Sequence, residues 1–128
     1  MTQNEFSKRY EKLPIHIFDD SSYASSLVAE AILQRIASKA QDGLPAVIAF
    51  STSSALIQVY EALIKFHREQ KLSFKNVQAF VVDEYYPIAP NDLQSHYRFM
   101  CEYLFDQVDI PKSNIFYPDG SLPKDKEY

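Results

Sequence analysis

The sequence predicts an α/β protein with a three-layer, Rossmann-like fold in which helices pack on a parallel sheet. Short runs of apolar and β-branched residues alternate with longer segments whose apolar positions recur with the period of an α-helix. Parallel strands need crossover connections, so this alternation is typical of βαβ units. The best-defined strands, 46–50 and 77–82, are therefore expected to be parallel neighbours joined by a right-handed crossover.

Composition is that of an ordinary globular domain. The chain has 128 residues, of which 46% are hydrophobic and 23% charged. A net charge of −4 gives no indication of nucleic acid or an anionic membrane as a partner. The single cysteine, Cys101, excludes an internal disulfide and fits a cytoplasmic location. We expect no metal, because His16, His67 and His96 lack the mutual spacing of a metal site. We also expect no cofactor, and the sequence has neither a Walker loop nor a GxGxxG motif.

The first elements follow from caps and periodicity. Residues 1–13 are polar and predict an arm, and the apolar run 14–18 is a candidate strand. The polar residues 19–22 supply N-cap side chains for a helix over about 21–41, which Gly43 ends.

The later elements are defined by similar patterns. Strand 46–50 opens into a second helix that carries inward apolar residues from Leu56 onward. After strand 77–82, prolines impose an irregular loop, and Asn91 and Asp92 are expected to cap a third helix. A last short strand, 115–117, a turn at Gly120 and a polar tail over 121–128 complete the chain.

Polar side chains follow the two best-defined strands where each leaves the sheet. Asp83 and Glu84 come after one strand, and the hydroxyl residues 51–54 follow the other. Ligands of open α/β sheets bind beyond the carboxyl ends of the strands, where a half-desolvated carboxylate is placed to act as a base. Hydroxyls at a helix N-terminus favour an anion such as phosphate. The pattern predicts proton abstraction on a phosphorylated substrate.

Plain structural roles are the alternatives for the same residues. Hydroxyl side chains cap helices in many proteins, and an acidic pair often begins a solvated loop. Glu84 either orients Asp83 or faces solvent.

Three segments, 47–63, 72–85 and 95–115, resemble those of glucosamine-6-phosphate deaminases. Residues 85–87 and 93–95 are similar to the longer members of that family, which carry an additional deacetylase-like domain. The resemblance implies the fold shared by these deaminases and ribose-phosphate isomerases. The chain would be the N-terminal portion of such a domain and its tail, 121–128, the point where the sequence has been cut.

The resemblance also implies an activity and site residues. The family converts glucosamine 6-phosphate to fructose 6-phosphate and ammonia, which would make the full-length protein a hydrolase of a C–N bond. Asp83 and Glu84 would be the catalytic residues, with Asp83 as the base, and Thr52, Ser53 and Ser54 would hold the sugar phosphate. The ring-opening histidine of the family lies further along, so we expect the 128-residue chain alone to be inactive. The full-length form is expected to be a homo-oligomer.

The phosphate loop departs from the family pattern at two positions. Ser53 stands where the family has glycine, which adds a Cβ where a positive φ would be strained. Leu56 stands where the family has proline. These departures keep open a non-catalytic sugar-phosphate-binding or regulatory module. A sugar-phosphate lactonase on the same fold is a further alternative, although the Asp-Glu-Tyr segment at 83–85 favours the deaminase.

Overall fold

The structure, a computed structural model, describes residues 13–126, so most of the predicted arm over 1–13 lies outside it. No helix within that range is long and apolar enough to cross a bilayer. Short 3₁₀ turns occur at Ser54–Leu56, Phe105–Gln107, Lys112–Asn114 and Lys124–Lys126. The helices and strands are α1 (Ser21–Gln41), β1 (Ala46–Phe50), α2 (Ile57–Arg68), β2 (Val77–Val81), α3 (His96–Tyr103) and β3 (Ile115–Phe116).

The three strands form one parallel sheet in the order β1-β2-β3. Ala46 pairs with Val77 at the start of the first two strands, and Phe50 pairs with Val81 at their end. β3 is shorter and pairs with the second half of β2. The predicted α/β class and the parallel neighbourhood of the first two strands are therefore confirmed.

The two faces of the sheet have different surroundings. One face is buried with side chains of all three helices in a single core, which includes Ala46, Phe50, Val77, Ala79, Val81, Ala29, Ile36, Val59, Leu63 and Met100. On the opposite face Val47 is 63% exposed, and Phe80 stacks on Phe116 at a centroid distance of 4.8 Å with both rings over 40% exposed. Two layers of the predicted three-layer arrangement are thus present in residues 13–126.

α1 begins and ends where the sequence predicts. Asp20 is its N-cap, and its Oδ1 accepts a 2.9 Å hydrogen bond from Ser22 N. At the other end the N–H groups of Gly43 and Leu44 donate to the carbonyls of Ala40 and Lys39. Gly43 has a φ of +68°, the left-handed conformation that this C-terminal motif requires and glycine adopts without strain.

The candidate strand at 14–18 is wrong. The described sheet has three strands, and this segment is not among them. Ile15 is 68% exposed and Ile17 is 91% exposed, and within the described residues the run pairs with no strand. The other strand predictions are correct to within one residue, since β2 ends at Val81 and β3 at Phe116.

The predicted cap of the third helix is also wrong. Asp92 Oδ2 accepts a hydrogen bond from Ala89 N at 3.1 Å and so closes a turn before the helix. α3 begins only after Ser95, whose Oγ accepts from Arg98 N at 3.3 Å. A local side-chain hydrogen bond within the turn has taken the place of the cap.

Candidate functional site

The two polar clusters leave the same edge of the sheet. Phe50 and Val81 are paired at the ends of β1 and β2, and Val82 N donates to Phe50 O at 3.1 Å. The hydroxyl loop 51–54 and the pair Asp83 and Glu84 therefore start from neighbouring points, as the sequence predicts.

A buried tyrosine anchors the start of the hydroxyl loop. The hydroxyl of Tyr60 on α2 donates to the main-chain carbonyl of Ser51 at 2.5 Å. Burial raises the pKa of Tyr60 to about 12, although the hydrogen bond to Ser51 opposes this shift. The phenol thus remains a donor at neutral pH and ties the loop to the helix that follows it.

Ser53 has unstrained backbone angles, although it stands where the deaminases that the sequence resembles have glycine. Its φ is −84° and its ψ is 136°, and its Oγ accepts from Ala55 N at 3.3 Å as a helix cap. Thr52 is half-buried, whereas Ser51, Ser53 and Ser54 are exposed. The loop in this conformation does not need a glycine, and its hydroxyls face outward at the edge of the sheet.

Both oxygens of the Glu84 carboxylate accept hydrogen bonds, and three of the four donors lie at the start of α3. Oε1 accepts from Tyr85 N and His96 N, both at 2.9 Å. Oε2 accepts from Ser95 Oγ at 2.7 Å and from Tyr97 N at 3.1 Å. Partial burial would raise the pKa of Glu84, but these hydrogen bonds outweigh it and lower the pKa below its ordinary value. Glu84 is therefore an ionised cap that fixes the loop after β2 to α3.

Asp83 lies beside this cap with its carboxylate largely open. The side chain is 63% exposed, and its Oδ1 lies 3.4 Å from Nδ1 of His96. Among the described residues, the imidazole of His96 is the side chain that forms an ion-pair contact with this carboxylate. Of the two adjacent carboxylates, Asp83 keeps free lone pairs and Glu84 does not.

An open pocket of about 370 Å³ lies next to these groups. It joins the hydroxyl loop to the start of α3, and its lining residues are Thr52, Tyr85, Leu93, Gln94, Ser95, His96 and Phe99. Asp83, Ser53 and Ser54 are not among these lining residues. The structure therefore places Thr52 in the wall of the pocket and the other predicted residues outside its lining.

The turn at Gly120 packs against the loop that follows Glu84. Ile88 N donates to Gly120 O at 2.9 Å. A Cβ built on Gly120 would lie 2.7 Å from Ile88 Cγ2 and would overlap the carbonyl oxygen of Tyr85. Glycine is required here for close approach, and the turn helps to hold the loop in place.

The remaining candidates lie away from this edge. His67 lies in the last turn of α2, with its Nδ1 2.9 Å from Leu72 O and 3.5 Å from Asp109 Oδ1. Cys101 is partly buried, and burial raises the pKa of its thiol. No group of three or more metal-ligating side chains occurs in the described part of the chain.

Sequence reasoning missed three residues that shape this site: Ser95, Tyr60 and Gly120. Ser95 is 1% exposed and is both the cap of α3 and a donor to Glu84. A serine directly before a helical apolar period is a typical N-cap and could have indicated this start. Tyr60 and Gly120 act through contacts distant in the chain, for which the sequence offers no local pattern.

Comparison with known proteins identifies the family and the fold of the chain. Residues 19–127 match the family model for glucosamine-6-phosphate isomerases and 6-phosphogluconolactonase. A glucosamine-6-phosphate deaminase-like protein of Bacteroides thetaiotaomicron is 38% identical over 96% of the chain, which covers 19% of that relative. The glucosamine-6-phosphate deaminase of Mycoplasma mycoides is 34% identical over 83% of the chain, which covers 42% of that enzyme. The chain thus spans less than half the length of these relatives.

Solved structures show the same fold. A monomeric glucosamine-6-phosphate deaminase superimposes with a TM-score of 0.81 at 24% identity, over 88% of this chain and 45% of that one. The 6-phosphogluconolactonase of Thermotoga maritima superimposes with a TM-score of 0.72 at 26% identity, over 88% of this chain and 48% of that one.

Proposed function

Because the chain belongs to the family of glucosamine-6-phosphate isomerases and 6-phosphogluconolactonases, we propose that the protein carrying it converts glucosamine 6-phosphate to fructose 6-phosphate and ammonia. The observation that supports this most directly is the pairing of Phe50 with Val81. That pairing starts a hydroxyl loop and a free carboxylate from adjacent strand ends, which suits a substrate with a phosphate at one end and a reacting carbon at the other.

Asp83 is the proposed base. In the open-chain sugar it takes the proton from C2, next to the C1 aldehyde, and returns it to C1. A proton passes from the ammonium group at C2 to the C1 oxygen, which becomes a hydroxyl, and the nitrogen at C2 is left as an imine. Water hydrolyses this imine to the ketone of fructose 6-phosphate with release of ammonia. An exposed carboxylate with free lone pairs suits this transfer, and Asp83 is 63% exposed.

Thr52, Ser53 and Ser54 are proposed to hold the phosphate. The three hydroxyls stand at the start of the 3₁₀ turn Ser54–Leu56 that leads into α2, where free N–H groups and the helix dipole favour an anion. Ser53 accepts a hydrogen bond from Ala55 N and keeps its own proton free to donate to a phosphate oxygen.

Glu84 is proposed to act through position and not as a second base. Its two oxygens already accept four hydrogen bonds from Tyr85, Ser95, His96 and Tyr97. Removing a proton from substrate would require breaking this cap.

Hydrolysis of 6-phosphogluconolactone is the second candidate, and the likeness to the Thermotoga maritima lactonase favours it. A single experiment separates the two. The full-length protein is incubated with glucosamine 6-phosphate, and ammonia release is measured in a coupled assay, while lactone hydrolysis is followed in parallel. We expect ammonia release that depends on Asp83 and no lactone hydrolysis above the spontaneous rate. Enzyme-like hydrolysis of the lactone without ammonia release would contradict the deaminase proposal.

A further inference from the structure

The imidazole of His96 lies directly against Asp83. Its Nδ1 is 3.1 Å from the main-chain oxygen of Asp83 and 3.4 Å from Asp83 Oδ1. A carbonyl oxygen and an ionised carboxylate accept hydrogen bonds and cannot donate them. In the neutral ring, the proton therefore resides on Nδ1, which donates to the main-chain oxygen of Asp83 and has the carboxylate Oδ1 within 3.4 Å.

His96 is itself held in place more firmly than Asp83. Its main-chain N–H donates to Glu84 Oε1 at 2.9 Å, and its ring packs against Tyr85 at a centroid distance of 4.7 Å. The side chain of His96 is 16% exposed, compared with 63% for Asp83. A fixed ring thus approaches a carboxylate that is otherwise free to change rotamer.

We propose that His96 is a positioning residue whose Nδ1–H holds the carboxylate of Asp83, and the chain at the end of β2, in the orientation for proton transfer. This role rests on the proposed function, in which Asp83 is the base. Without the imidazole, the exposed carboxylate is distributed over several rotamers, and only one of them faces the reacting carbon. A misplacement of about 1 Å at a reacting group costs up to ~10²-fold in rate.

The main competing role is that His96 transfers a proton itself. Asparagine separates the two possibilities, because its side-chain N–H is placed near the position of Nδ1 but does not titrate. Glutamine is the matched control, because its longer side chain places the amide near Nε2. Leucine removes both nitrogens and keeps much of the volume.

The experiment measures ammonia release by the full-length protein and its His96→Asn, His96→Gln and His96→Leu variants. We expect His96→Leu and His96→Gln to lower kcat by ~10- to 10²-fold with KM within about twofold, and His96→Asn to recover most of the loss. Adding His96→Leu to Asp83→Asn is expected to cause no further loss, because the ring acts through Asp83. An asparagine variant as slow as leucine, additive losses, or unchanged kcat in all variants would overturn the proposal.

A readout independent of activity separates this proposal from the proposed function. Nitrogen-15 NMR of the full-length protein distinguishes the two neutral imidazole tautomers, and we expect the Nδ1–H form for His96. The Nε2–H form in an active deaminase would overturn the positioning role alone. A protein that keeps the Nδ1–H form and releases no ammonia would instead overturn the proposed function while retaining the contact between His96 and Asp83.

Discussion

Glu84 Oε2 accepts a 2.7 Å hydrogen bond from the hydroxyl of Ser95, eleven positions further along the chain. The contact joins the residue after Asp83 to the cap of α3, and Ser95 is 1% exposed. The orientation of the sheet edge and the start of this helix therefore depend on one another.

Replacing the Glu84 carboxylate is expected to change the acid stability of the fold. The folded pKa of Glu84 lies below its ordinary 4.5, because the hydrogen bonds from His96, Ser95 and their neighbours outweigh partial burial. Its stabilising contribution is thus present above about pH 4.5 and is lost as the pH falls through the folded value. Glu84→Gln should unfold ~1–3 kcal/mol more easily at neutral pH, because an amide group then faces N–H donors.

Urea unfolding at pH values from about 3 to 7 measures this effect. The difference between wild type and Glu84→Gln should shrink toward the acid end. A constant difference at all pH values would contradict the assignment of Glu84 as an ionised cap. Glu102→Gln is the matched control, since Glu102 lies in α3, the helix that Glu84 caps, and pairs with Arg98 at the surface.

Asp83→Asn in the full-length protein tests the proposed base. Asparagine keeps the shape of the side chain but has no basic oxygen, so kcat should fall by at least ~10² while KM changes little. Steady-state ammonia release provides both constants. A near-normal kcat would reduce Asp83 to a loop residue and favour the binding-module alternative.

Ser54→Ala tests the phosphate loop and should have the opposite signature. A hydroxyl that holds the phosphate stabilises substrate and transition state alike, so its loss should chiefly raise KM, by about 10-fold, which corresponds to ~1.4 kcal/mol. Ser54 is a cleaner probe than Ser53, because Ser53 also caps the following turn. A fall in kcat with unchanged KM would argue against a role in holding phosphate.

Gly120→Ala tests the packing of the turn against the loop after Glu84. The added methyl group would lie 2.7 Å from Ile88 Cγ2, and we expect a loss of ~1–3 kcal/mol in the free energy of unfolding. Gly43 is the control, since a Cβ there meets nothing within 4 Å but its φ of +68° is left-handed. Asparagine, which tolerates that conformation, should be accepted at Gly43 and rejected at Gly120. Equal stability of the two asparagine variants would contradict this account.

The 128-residue chain by itself is expected to release ammonia at no enzyme-like rate. The resemblance places the ring-opening acid outside this sequence, and a positioned acid contributes ~10²–10⁴-fold. The open sheet face around Phe80 and Phe116 is also expected to bind hydrophobic dyes. Ammonia release by the purified chain, compared with the full-length protein, checks the expected inactivity. Robust turnover by the short chain would show that it contains its own acid.

The main elements could be predicted because local patterns define them. α1 has a cap residue at one end, Gly43 at the other and a continuous helical period between them. β1 and β2 are short apolar runs joined through a helix, and for that order a parallel crossover is the physical rule. The same rule explains why Asp83 and the hydroxyl loop lie close to each other.

Local patterns failed where a distant partner decides the outcome. The run 14–18 has the composition of a strand, but a strand forms only beside another strand, and none pairs with it within the described residues. Asp92 is as good a cap as Ser95 by residue type, yet it bonds to Ala89 while Ser95 bonds to Glu84.

The sequence by itself therefore determined the fold class, the parallel neighbours and the edge at which Asp83 lies, because chain order and periodicity constrain these strongly. Only the tertiary structure decided that Glu84 is a cap and Asp83 the free carboxylate. That difference depends on where the N-terminus of α3 arrives and which oxygens it reaches. Two adjacent carboxylates are alike in sequence and become different only when burial and hydrogen-bond donors are distributed between them.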